Sequence, residues 1–205
     1  MKPMHRPRIV VMASGAGTNF QALIDATRHP DPTRRLEADI VGLYSHTASA
    51  LALARAERFG IPRHFVKPPS RSEHRESWDL ALAERIQAEC GPVDLVALLG
   101  WMRILTPVFL ARFGCPILNL HPALPGDLPG RDAIERAWSE FEAGTRRETG
   151  VMVHRVVPAI DAGPVVAIEM VAMTPSMDFD SFAAAMHAAE HRVVVAAIAK
   201  VLGGT

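Results

Sequence analysis

"RIVVMASGAGTNFQALIDA" (8–26) decides the fold. Its first part is short, apolar and β-branched and ends at Gly15, the pattern of a buried strand. From Thr18 the pattern turns helical through "NFQALIDATRH". A strand is thus joined to a helix by a glycine-rich bend.

The same alternation runs along the chain. "ADIVGLYS" (38–45) reads as a strand, "ASALALARAERFG" as a helix stopped by Gly60, and "PRHFVK" as a weak short strand. "RSEHRESWDLALAERIQAE" (71–89) is a long helix with Trp78, Leu82 and Ile86 at helical spacing. "VDLVALLG" (93–100) and "CPILNLH" (115–121) are buried strands, and "AIERAWSEFEAG" is helical. "TGVMVHRV" and "PVVAIEMVAM" are strands flanking "PAIDAGP", before a last helix over "DSFAAAMHAAEHRVVVAAIAKVL". This predicts an α/β fold, a Rossmann-like, mainly parallel sheet with helices on both faces. Ligands then bind at the carboxyl ends of the strands, here "SGAGTN", "LLGWMRIL" and "NLHP".

Bulk composition narrows the function. The 205 residues carry 22 Lys+Arg against 22 Asp+Glu, with 49% hydrophobic. That is an ordinary soluble globular composition, with no basic block to bind nucleic acid. Cys90 and Cys115 have no metal spacing and fit a reducing cytoplasm. Neither a signal peptide nor a membrane span is expected. Residues 1–7 read as a flexible tail and 8–205 as a single domain.

Several segments carry candidate chemistry. In "SGAGTN" (14–19) the N–H groups of Gly17, Thr18 and Asn19 would face outward at a helix N-terminus, a phosphate-sized anion site. It lacks the Lys of a Walker loop and the third Gly of GxGxxG, so a plain tight turn remains open. In "PILNLHPALPG" (116–126) Asn119 and His121 project to the same side of a strand that stops at Pro122. An Asn amide donates to an oxyanion and a His moves protons; Asp161 in "PAIDAGP" could hold the His charged or position a water. The alternative is a strand cap, a packed His and an Asx turn. No Ser or Cys sits in a nucleophile elbow, which favours direct transfer.

"HAAEH" (187–191) matches H-x-x-E-H, with His187 and His191 one turn apart. No carboxylate follows Glu190 to complete a zinc site, so Glu190 reads as reaching a pocket. Arg103 in "WMRIL" is a core-snorkelling or carboxylate-binding Arg, and Arg75 a surface Arg near a helix start. His154 in "MVHRV" reads as a satisfied strand histidine, with a supporting role at the site as the other reading.

Taken in order, "RIVVMASGAGTNFQALIDA", "LLGWMRILTPVFL", "ILNLHPALPG", "TGVMVH", "DAGPVV" and "AEH" resemble the phosphoribosylglycinamide formyltransferases over about residues 8–202. The "NLHP…D" set is shared with methionyl-tRNA formyltransferase and formyltetrahydrofolate deformylase; "SGxGTN" with "FQALIDA" is the more specific match. The resemblance implies a formyltransferase fold and transfer of a formyl group from 10-formyltetrahydrofolate to 5'-phosphoribosylglycinamide, without metal. It implies Asn119, His121 and Asp161 as the catalytic set. Gly17, Thr18, Asn19 and Arg75 would hold the ribonucleotide phosphate and Glu190 its amino end. Met102, Arg103, Ile104 and Leu105 would line the folate pocket. A cytoplasmic monomer or homodimer is expected, with no nucleic-acid or membrane partner.

Rival readings are a deformylase on the same fold, a non-catalytic nucleotide- or folate-binding regulator, and a zinc peptidase. Two departures bear on geometry. "PALPGDLPG" replaces the commoner "PSLLPKYPG", which opens the question of the rim between Gly126 and Gly130. "DAGP" replaces "DGGP"; if that position needs positive φ, Ala162 costs about 1 kcal/mol.

Overall fold

A computed structural model describes residues 6–70 and 74–203. Residues 1–5 of the expected tail and 71–73 of the expected helix lie outside the described residues.

The first of two compact units, Met1–Leu118, holds β1 (Arg8–Met12), α1 (Thr18–Thr27), β2 (Asp39–Ser45), α2 (Leu51–Arg58), β3 (Arg63–Phe65), α3 (Arg75–Cys90), β4 (Leu95–Leu98) and α4 (Pro107–Ala111). β1 pairs in parallel with β2 and β4, and β2 with β3. Ile9 to Met12 are fully buried, as a parallel strand covered on both faces must be. α4 is absent from the periodicity reading because five residues are too few to show a helical repeat; Pro107 at its first turn is the local start signal. Along α3, Leu82 and Ile86 are buried as expected, but the core position beside Trp78 belongs to Asp79.

β5 (Ile117–His121) runs into the second unit, Asn119–Thr205, which adds α5 (Ala133–Glu142), β6 (Glu148–Arg155), β7 (Val165–Ala172) and α6 (Phe179–Gly203). β6 and β7 are antiparallel, with a register shift between Val153 and His154. α6 is long and apolar enough to cross a membrane by length and composition. Here it packs on β6 and β7 and buries Phe182, Met186, Val193 and Ile198. Trp138 of α5 stacks on Phe182, ring centroids 5.4 Å apart.

The seven strands run β3-β2-β1-β4-β5-β6-β7. This is the expected mainly parallel α/β sheet, with β6 and β7 antiparallel to one another at one edge. Strand order reverses between β1 and β4, the switch point at which such sheets bind ligands. The ends of those two strands meet where the Ser14 N–H donates to the Gly100 carbonyl at 3.0 Å.

Candidate active site

Asn119 and His121 leave β5 on one side, and both reach the carboxylate of Asp161. The Asn119 amide Nδ2 donates to Asp161 Oδ1 at 3.2 Å. His121 Nδ1 lies 3.6 Å from Oδ2, which also accepts the Gly130 N–H at 2.9 Å. His154 completes the set, with Nε2 3.2 Å from Asn119 Nδ2 and 3.5 Å from Asp161 Oδ1. His121 is 3% exposed, so these contacts are largely out of water.

Partner chemistry assigns the protons. His121 Nε2 faces the Leu128 carbonyl at 3.1 Å; a carbonyl only accepts, so this nitrogen carries hydrogen. His154 Nδ1 faces the Arg155 carbonyl at 3.0 Å, which leaves Nε2 of the neutral ring to accept from Asn119. Turning the Asn119 amide over would set its oxygen against the Asp161 carboxylate, so the orientation is determined. Both Asn119 N–H bonds are thereby committed, one to Asp161 and one to His154. An oxyanion served by Asn119 must displace one of them. Burial pushes the Asp161 carboxyl up, but the hydrogen bond from the Gly130 N–H and the proximity of His121 outweigh it and hold it below its usual range.

The backbone here is unusual. Asp161 itself has φ 50° and Leu128 has φ 42°, a region that costs ordinary side chains about 1–2 kcal/mol. Ala162 is not among the positive-φ residues, so the cost expected for it does not arise. The obligatory glycine is Gly163, where a Cβ would overlap the Arg155 carbonyl oxygen. A cavity of about 670 Å³ opens beside Asp161, walled by Pro125, Asp127, Pro129, Met152 and Ile160 among others.

In the first unit, Gly17 caps α1 with φ 72°. A Cβ on it would lie 2.8 Å from Ala52 Cβ, so only glycine fits. Arg55 Nε donates to the Ala16 carbonyl at 2.9 Å. Ser14 Oγ lies 2.6 Å from His46 Nδ1, and the His46 ring meets Trp101 edge-on at 4.6 Å.

A second polar cluster surrounds Asp79, whose side chain is 0% exposed. It accepts the Thr106 N–H at 2.7 Å and Arg75 Nε at 3.3 Å. Arg103 lies over the Trp78 ring, 5.4 Å from its centroid. Burial and the neighbouring Arg75 push Arg103 down, against Asp79. Among the described residues, Arg75 Nη2, Arg103 Nε and Trp101 Nε1 are buried without a hydrogen-bond partner. Two guanidiniums side by side with N–H groups to spare suit a carboxylate ligand. Around them Met102 and Ile104 stand 58% and 60% exposed, while Leu105 is buried. Arg75, expected beside the Gly17–Asn19 turn, has its hydrogen bond with Asp79 instead.

On α6, Glu190 is nearly buried and accepts from His187 Nδ1 at 2.9 Å. That hydrogen bond raises the His187 pKa against burial, with help from the charges of Glu190 and Glu135.

With this geometry in place, residues 7–198 match the model of a family described as formyl transferase. The chain belongs to that family. The formyl transferase chain is 35% identical to the phosphoribosylglycinamide formyltransferase of Dictyostelium discoideum, over 93% of this chain and 95% of the relative. The Schizosaccharomyces pombe protein of the same name is 37% identical, over 95% and 96%. Among solved structures, phosphoribosylglycinamide formyltransferase from Bacillus halodurans superposes with TM-score 0.85 at 27% identity, covering 96% of each chain. Glycinamide ribonucleotide transformylase 1 from Symbiobacterium toebii gives 0.84 at 34%, covering 98% of this chain and 90% of the other.

Within the formyl transferase chain, sequence reasoning missed Asp79, Arg55, the Leu128 carbonyl and the Gly130 N–H. Two of these are backbone groups, which every residue carries and no motif marks. Asp79 had a signal, an acidic residue in register with Leu82 and Ile86 on a buried helix face.

Proposed function

We propose that the protein transfers the formyl group of 10-formyltetrahydrofolate to the amino group of 5'-phosphoribosylglycinamide, a step of purine biosynthesis. The amine nitrogen attacks the formyl carbon, and the carbonyl electron pair moves onto oxygen. His121 and Asn119 stabilise that oxyanion, each by exchanging a hydrogen bond it now makes. Asp161 supports His121 and, through a water, carries the proton from the attacking amine to the folate nitrogen. The carbon–nitrogen bond to folate then breaks and tetrahydrofolate leaves.

The observation that carries this reading is the one carboxylate of Asp161 that bridges Asn119 and His121. Gly17, Thr18 and Asn19 hold the phosphate and Glu190 the amino end. Met102, Arg103, Ile104 and Leu105 hold the folate, with Arg75 joining Arg103 at its carboxylate-bearing end. No metal takes part. The protein acts in the cytoplasm as one formyltransferase domain, monomeric or homodimeric. The named relatives are transferases, so the deformylase reading is not favoured.

The test is tetrahydrofolate release with and without the ribonucleotide, for wild type and Asp161→Asn. Release that needs the ribonucleotide and collapses in the variant supports transfer. Release without it, accompanied by formate, means hydrolysis, and no turnover in either case removes the catalytic reading.

A further inference from the structure

The rim between Gly126 and Gly130 touches both His121 and Asp161, and its shape is held from outside the site. Arg146, before β6, grips Asp127 with two parallel bonds, Nη1 to Oδ2 at 2.6 Å and Nη2 to Oδ1 at 2.9 Å. The same guanidinium donates from Nε to Glu140 Oε2 at 2.8 Å and from Nη1 to the Glu148 carbonyl at 3.3 Å. One planar fork thus ties the rim to the end of α5 and the start of β6, which a lysine's point charge would not reproduce. Within the rim, Asp127 N–H closes a turn onto the Leu124 carbonyl at 3.0 Å. Leu128 follows in a left-handed conformation, φ 42°, with its side chain buried. A bulky residue keeps that conformation only where its surroundings over-determine it.

The consequence reaches the chemistry. The Leu128 carbonyl accepts His121 Nε2 at 3.1 Å, which leaves Nδ1 to face Asp161. Asp127 also lines the cavity beside Asp161, so Arg146 neutralises a second carboxylate close to the first. On the far side, Arg136 Nη1 holds the Pro129 carbonyl at 2.9 Å. Loss of Arg146 therefore frees the Leu128 carbonyl while the rim keeps one tether.

We propose that Arg146 is a positioning residue: by gripping Asp127 it holds the Leu128 carbonyl against His121 Nε2 and so directs Nδ1 at Asp161. This rests on the reading of His121 as catalytic. The test uses full-length Arg146→Lys, Asp127→Asn and the double variant, checked for folding by circular dichroism. Each single variant should lower kcat by about 10- to 100-fold and leave both KM values within about twofold. The double variant should be no slower than the slower single. Imidazole ¹⁵N spectra, with the His121 signals assigned by their loss in His121→Gln, should show the Nε2 signal, set in wild type by its hydrogen bond to the Leu128 carbonyl, shifted in both variants.

An unchanged kcat and an unchanged His121 ¹⁵N spectrum in a folded variant would overturn the proposal, as would additive losses in the double variant. If Arg146→Lys does not fold, Asp127→Asn alone decides by the same readouts. If wild type transfers no formyl group, the functional reading fails but the ¹⁵N comparison still decides whether Arg146 positions His121.

Discussion

Asp79 and Asp161 are both carboxylates withdrawn from water, and they are held in different ways. Asp79 sits on helix α3, accepts one backbone N–H and one guanidinium, and has cationic N–H groups to spare around it. Asp161 sits on a loop at φ 50° and is enclosed by an amide, two imidazoles and a backbone N–H. The Asp79 cluster has unspent donors fixed on a rigid element, which suits binding. The Asp161 cluster has groups that gain and lose protons, placed where the backbone is strained, which suits chemistry.

Kinetics separate the two most sharply. Asp161→Asn should lower kcat by about 1,000-fold. Arg75→Ala should leave kcat in place and raise KM for the formyl donor by about 10- to 100-fold. Steady-state rates with each substrate varied would show this; an equal fall in kcat for both variants would erase the distinction, and a rise in KM for the ribonucleotide alone would return Arg75 to the phosphate.

Stability should rank them the other way. Asp79→Ala leaves the Thr106 N–H and Arg75 without their acceptor and should cost about 3 kcal/mol. Asp161→Asn, on a surface loop with its shape preserved, should cost about 1 kcal/mol. Urea titration reads both, and a larger loss at Asp161 would mean that its network serves the fold. Within the Asp161 loop, Ala162→Gly should lower stability by about 0.5–1 kcal/mol, because the left-handed position is Asp161. A gain in stability would return that role to Ala162.

The parts of the site that were legible in the sequence were those with a strong local period. Asn119 and His121 lie two apart on a strand, which alone puts them on one side. The turn after β1 is marked by glycines whose need can be seen in φ 72° at Gly17 and its contact with Ala52. The partner of Arg75 was not legible because a charged residue at a helix start has many groups within reach, and only the fold brought Asp79 to it. The rim was illegible for another reason. Its function runs through the Leu128 carbonyl and the Gly130 N–H, and their direction depends on Arg146, 19 residues from Asp127.

By itself the sequence determined the order of the strands and of the longer helices, and that Asn119 and His121 lie on one side of β5. These follow from side-chain period and local turn chemistry, which act over a few residues. Only the tertiary structure decided that one carboxylate lies beside Asn119, His121 and His154, that His121 Nε2 meets the Leu128 carbonyl, and where Arg75 is held. Those depend on contacts between residues far apart in the chain, and on backbone groups that are alike in every sequence until the fold aims them.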